Sequence, residues 1–398
     1  MCPGGGPSRR LTAGRCRAPA IRFAVDSQKQ KAVGTEDTAD PHGRPGARPW
    51  PGDLLWETEQ TRPPPGPLRS TRRTAGPSAA VPLTPRTPDS EMAAPPQRKL
   101  AGLMAATFTP LSAQGEINLA VIEPYIEYLV EKQGVRSVFV NGTTGESLSL
   151  SVEERKKLAE EWCQRGKGKL DQVIVHVGCL SLKESQELAQ HAADTGADGI
   201  AVISPCFFKP VEKDSLRQFL QQVAAVAPQL PFYYYHIPGL TGVHLKAMDI
   251  LQDIEESIPS FQGLKFSGSD LMDFGQCVHH SPPHWPMLYG MDEQLLAALV
   301  MGAHGAVGST YNYMGCVVNR LLAAFERGDY MQARNIQFQT QEVISYAVKQ
   351  GFDMAVNKQL MCEVSRLPLG PPRLPLQQCP PERAQSIARR LHEVLGGD

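Results

Sequence analysis

The chain has no C-x-x-C pair, no His/Cys cluster at zinc spacing, no stretch of about 18 apolar residues, and almost no imbalance of charge. Each absence excludes a class. The nine cysteines (Cys2, Cys16, Cys163, Cys179, Cys206, Cys277, Cys316, Cys362 and Cys379) read as free thiols in a reducing compartment. That predicts a cytoplasmic protein with no bound metal. Without a long apolar run no spanning helix, and so no membrane partner, is expected. A formal net charge of -1 offers no field to attract nucleic acid, which leaves a small-molecule substrate as the natural partner.

What is present divides near residue 97. Half of the 34 prolines precede it, with Gly4-Gly5-Gly6, Pro63-Pro64-Pro65 and many arginines. Such a composition buries too little apolar surface to offset chain entropy, so residues 1–97 read as a disordered extension. Arg9, Arg10, Arg15, Arg17 and Arg22 all precede the first acidic residue, Asp26, as in a mitochondrial presequence, but the glycines and prolines spoil an amphipathic helix. The Pro-rich stretch Arg62–Pro67 could dock on proline-reading domains. Met92–Leu100 looks like an ordinary short N-terminus, which makes Met92 an alternative start.

From Leu100 onward, short β-rich runs alternate with helical patterns. Strands are expected at Gly102–Thr107, Ser137–Asn141, Gln172–Val177, Gly199–Ser204, Phe232–His236, Gly263–Phe266, Met287–Gly290 and Ala306–Gly308. Each is followed by apolar residues at three and four spacing. An open dinucleotide-binding sheet would want G-x-G-x-x-G after the first strand, and Thr107-Phe108-Thr109-Pro110 has none. The pattern therefore predicts an α/β protein with a (β/α)8 TIM barrel over 98–316. Helices near Val317–Glu326, Tyr330–Lys349, Met354–Ser365 and Pro381–Leu395 form a C-terminal helical extension over 317–398.

In such barrels chemistry sits at the C-terminal strand ends. Lys265 lies in an otherwise apolar strand, where an ammonium is costly unless paired or deprotonated. A neutral amine there can attack a ketone; the plainer reading is a lysine that snorkels to solvent or joins an ion pair. Tyr235 closes Phe232-Tyr233-Tyr234-Tyr235, where alternation sends Tyr233 and Tyr235 both inward or both outward. It could move a proton, or serve as packing. The turn Gly142-Thr143-Thr144-Gly145-Glu146 offers successive N–H groups and two hydroxyls, a possible nest for a carboxylate.

Taken in order, GTTGE, YYYHIP, GLKFS, GMDEQ, GAVGS and GPPRLPL resemble the N-acetylneuraminate lyase/dihydrodipicolinate synthase family of barrel aldolases, over roughly Leu100 to Leu376. The resemblance implies that Lys265 forms a Schiff base, that Tyr235 is the proton shuttle and Thr143 its neighbour in catalysis. It further implies that Thr143 and Thr144 bind a keto-acid carboxylate. The synthases carry an arginine two residues after the proline of the tyrosine motif; here that position is Leu240. With Asp292 and Glu293 after Gly290, this looks like the sialic acid branch, in which Ser267, Gly290, Asp292, Glu293 and Ser309 meet the sugar chain. The implied reaction is reversible cleavage of N-acetylneuraminate to N-acetylmannosamine and pyruvate, by a homotetramer needing no cofactor. The alternatives are an aldolase for another 2-oxo acid, such as 4-hydroxy-2-oxoglutarate, or a non-catalytic sialic acid binder.

Two positions depart from the pattern. After the fourth strand, where family members often lend a tyrosine to a neighbouring subunit, the chain has Cys206-Phe207-Phe208. A relay from Tyr235 through Thr143 must then end differently, on water. The other is His304, expected at the surface.

Overall fold

A strand covered on both faces must be apolar on both, and the β-rich runs of this chain are. The computed structural model describes residues 100–396, so the expected extension over 1–97 and the start at Met92 lie outside them. Among the described residues eight strands close in sequence order into a parallel barrel, with the last paired to the first. They are β1 (Gly102–Ala106), β2 (Ser137–Val140), β3 (Gln172–His176), β4 (Gly199–Ile203), β5 (Phe232–His236), β6 (Phe261–Phe266), β7 (Met287–Tyr289) and β8 (Gly305–Gly308). The expected (β/α)8 architecture is the one found.

Around the barrel run α1 (Ile122–Tyr128), α2 (Val152–Gly166), α3 (Leu182–Thr195), α4 (Lys213–Ala224), α5 (Pro238–Thr241), α6 (Ala247–Leu251), α7 (Leu271–His280), α8 (Leu295–Val300) and α9 (Tyr311–Glu326). Three more follow: α10 (Tyr330–Lys349), α11 (Met354–Ser365) and α12 (Pro381–Leu395). Local chemistry sets where several begin. Ser151 and Glu154 exchange side-chain and backbone hydrogen bonds in a capping box at α2, and Asp353 accepts the Val356 N–H to cap α11.

Alternation along the strands builds two cores. Met104, Phe139, Ile174, Ala201, Tyr233, Tyr235, Leu288 and Val307 form one cluster inside the barrel, whereas Val138, Val175, Val202, Tyr234, Leu264 and Tyr289 belong to the layer under the helices. Tyr233 and Tyr235 thus face inward. The two phases have one consequence for function: Lys265, in step with Tyr235 across the β5–β6 ladder, is inward too.

Two local expectations need correction. The helix expected from Val317 starts at Tyr311, so the division expected after residue 316 falls inside α9. Gly315, inside that helix, is a point of close approach, where a Cβ would lie 2.7 Å from Val135 Cγ2. His304 is partly buried, not a bare surface residue, and its Nδ1 accepts the Met287 N–H at 3.0 Å. The seven described cysteines are unpaired, and among the described residues no helix is long and apolar enough to cross a membrane.

Candidate active site

Lys265 is 4% exposed, and among the described residues no carboxylate pairs with it. Its Nζ lies 3.8 Å from the centroid of the Phe139 ring and 3.9 Å from that of Tyr235. Ring faces favour a cation, but they do not replace lost hydration. Burial pushes the amine down to about 7, opposed by the negative charge of Asp292. The snorkelling and ion-pair readings of this lysine are therefore not what the geometry shows. Near neutral pH a substantial fraction is an uncharged nucleophile.

Tyr235 pairs with Lys265 across the ladder, and its hydroxyl stands 3.2 Å from Thr143 Oγ1. Burial raises its pKa, opposed by hydrogen bonding to Thr143 and Ser267, so near neutral pH it is a neutral phenol. Beside it, His176 donates from Nδ1 to the Asn141 carbonyl at 2.8 Å, the only role a carbonyl partner permits, which leaves Nε2 as an acceptor. Burial and the nearby Arg155 guanidinium push that imidazole well down.

The loop after β2 is narrower as an anion nest than its sequence suggests. The N–H groups of Gly145, Glu146 and Ser147 donate to Gly142 and Thr143 carbonyls within the turn. Among the described residues those of Thr143 and Thr144 donate to no backbone carbonyl, so with their hydroxyls they are free to meet a carboxylate. Thr143 also lines a cavity of about 250 Å³ at the barrel mouth, together with His176, Ile203, Leu240 and Met354.

The residues expected to meet the sugar chain gather at the ends of β6, β7 and β8. Gly290 makes room for Ser267, whose Oγ would lie 2.0 Å from any Cβ placed there. Asp292 is engaged by the turn before α9: its Oδ2 accepts the Thr310 N–H at 3.0 Å and the Thr310 hydroxyl at 2.6 Å. Burial raises the pKa of Asp292 and of Glu293, although the Thr310 contacts act the other way on Asp292. Ser309 Oγ accepts from Asn357 Nδ2 at 2.8 Å. Cys206 lines the cavity, while Phe207 and Phe208 point away into solvent, 73% and 88% exposed, edge to face with each other.

Several residues at this site escaped the sequence reading. Glu146 ends the GTTGE turn in a left-handed conformation (φ 57°) and pairs with Lys358 at 2.8 Å, with both side chains almost wholly buried. Asn357 and Lys358 did carry a signal: with Gln359 they make three polar residues between Val356 and the apolar pair Leu360-Met361 on a helix. Arg155 looked like a solvent-facing charge in Glu153-Glu154-Arg155-Lys156-Lys157, yet it is buried and donates to the carbonyls of His176 and Gly178.

The chain has recognisable relatives among known proteins. A family model described as the dihydrodipicolinate synthetase family matches residues 99–394. The N-acetylneuraminate lyase of Danio rerio is 63% identical over 301 residues, which is 75% of this chain and 98% of that protein. Among solved structures, the Proteus mirabilis N-acetylneuraminate lyase superposes with a TM-score of 0.71 at 35% identity, covering 75% of this chain and 99% of its own. A Ruminococcus gnavus sialic acid aldolase, described as a catalytic lysine mutant, gives 0.69 at 31% identity, covering 74% and 96%.

Proposed function

The chain belongs to the dihydrodipicolinate synthetase family, and from that premise we propose that it is a carbon–carbon lyase cleaving N-acetylneuraminate to N-acetylmannosamine and pyruvate through an imine on Lys265. The observation that carries the reading is the buried amine of Lys265, unpaired and pushed down to about 7, directly opposite Tyr235 in the β5–β6 ladder. The related Ruminococcus gnavus aldolase, described as a catalytic lysine mutant, supports it.

Neutral Lys265 adds to the C2 ketone of the open-chain sugar acid, and loss of water leaves an iminium. The C3–C4 bond then breaks with its electron pair moving into the iminium, which becomes an enamine. Tyr235 takes the C4 hydroxyl proton as it releases its own towards the substrate carboxylate, because a phenol with a raised pKa cannot act as a free phenolate base. N-acetylmannosamine leaves as the aldehyde. Protonation at C3 and hydrolysis then free pyruvate and the amine. Thr143 and Thr144 hold the carboxylate, and Ser267, Gly290, Asp292, Glu293 and Ser309 receive the sugar chain. Leu240, at the position where the synthases carry arginine, removes the charge their second substrate requires, and it lines the cavity.

The reading extends to a cytoplasmic homotetramer. Unpaired cysteines suit a reducing compartment, and the exposed Phe207 and Phe208 suit burial against another subunit. Borohydride reduction in the presence of pyruvate tests the chemistry. A stable adduct of pyruvate mass on Lys265 is expected; no adduct in the intact protein, or one that survives Lys265→Ala, ends the reading.

A further inference from the structure

Helix α11 presents two consecutive buried polar residues, and each holds a different part of the candidate site. Lys358 Nζ donates to Glu146 Oε1 at 2.8 Å and to the Pro371 carbonyl at 3.0 Å. The other oxygen of Glu146 accepts the Arg373 N–H at 2.7 Å. Arg373 is in turn fixed by Glu154, at 2.6 and 2.8 Å. Glu146 thus has both oxygens engaged by the C-terminal segment, while its own N–H donates to the Thr143 carbonyl at 3.0 Å. A non-glycine residue in the left-handed region persists when its surroundings hold it there. One position earlier, Asn357 donates to Ser309 Oγ and accepts the Tyr313 hydroxyl, both at 2.8 Å.

We propose that Asn357 and Lys358 are positioning residues of the active site: Lys358, through Glu146, presets the Thr143–Thr144 turn that takes the carboxylate, and Asn357 orients Ser309 for the sugar chain. The inference rests on the lyase reading and adds to it that the C-terminal helices, beyond the barrel proper, grip the two ends of one substrate from a single rigid element.

The two residues sit at opposite ends of the substrate, so their effects separate. Lys358→Met should raise the half-saturating pyruvate concentration for borohydride trapping, and KM for N-acetylneuraminate, each by about tenfold, because both ligands carry the carboxylate. Asn357→Ala should raise KM for N-acetylneuraminate about fivefold and leave half-saturating pyruvate within twofold of the intact protein. A helix that merely braces the fold would lower the unfolding temperature without this split. Should Lys358→Met fail to fold, the Glu146→Gln/Lys358→Gln pair removes both buried charges together and keeps a hydrogen bond. It should fold, with pyruvate half-saturation raised at least threefold. Folded Lys358 variants that bind pyruvate as tightly as the intact chain overturn the proposal, as does an Asn357→Ala protein whose pyruvate and sugar-acid constants move together. Trapping at Lys265 in the intact protein is the internal control: its failure would sink the lyase reading itself, and its success with unchanged variants sinks only this inference.

Discussion

Two loops at the same barrel rim are built in opposite ways. The turn after β2 is closed on itself by three backbone hydrogen bonds, receives the Thr109 hydroxyl on its Gly145 carbonyl at 2.6 Å, and is tied to α11 by a buried ion pair. The segment after β4 carries Phe207, Phe208 and Val211, all more than 70% exposed. One loop has every reason to stay still; the other displays apolar surface that water does not favour. The contrast teaches a division of labour. On the proposed reading, the groups that meet the carboxylate are fixed by the chain's own interior, whereas the apolar edge suits contact with another copy.

The sharpest break falls beneath both loops. Lys265→Ala should lower turnover by at least about 10³-fold and abolish the pyruvate adduct, since among the described residues Lys265 is the lysine carried on an inward position of the barrel strands. Mass spectrometry after borohydride reads the second effect directly. On the fixed side, Tyr235→Phe keeps the ring over Lys265 but removes the proton acceptor, so turnover should fall about 10²-fold while the adduct still forms. Steady-state rates beside trapping yields check that separation; loss of the adduct as well would mean the phenol acts in imine formation.

Acidity probes the same lysine. Its native pKa, near 7, lies below the ordinary 10.5, so the native amine is neutral above about pH 7 and charged below it. The rate of adduct formation should therefore fall about tenfold per unit as pH drops below 7, and level off above. An unchanged rate down to pH 5 would show that the amine is not the titrating nucleophile.

On the exposed side the smallest catalytic effect is expected. Phe207→Ser with Phe208→Ser should weaken self-association about tenfold in sedimentation, with turnover of the assembled protein altered less than about threefold. Equal assembly in the variant would make the exposed pair plain surface and remove half of the contrast.

Much of this was legible before any coordinates. The eight strands follow from apolar runs bounded by turns, and α10, α11 and α12 have the ends their spacing predicts. Lys265 and Tyr235 stood out as polar residues closing apolar strands. Other features were hidden for identifiable reasons. The first turns of α9 went unread, because sequence does not show that Val135 packs against Gly315 there. Arg155 reads as solvent-facing because its partners, the His176 and Gly178 carbonyls, belong to the next strand's end. Lys358 lies far along the chain from Glu146, and no periodicity links an i residue to a partner 212 positions away.

By itself, then, the sequence determined the barrel, its strand order and the residue types at the strand ends, because hydrophobic periodicity and turn chemistry act over a few residues. Tertiary structure alone decided which way Tyr235 faces, how far the Lys265 amine is stripped of water, and which helix holds the turn after β2. Those depend on burial and on charges brought together by closure of the barrel, and desolvation is a property of the assembled surroundings rather than of any local stretch of chain.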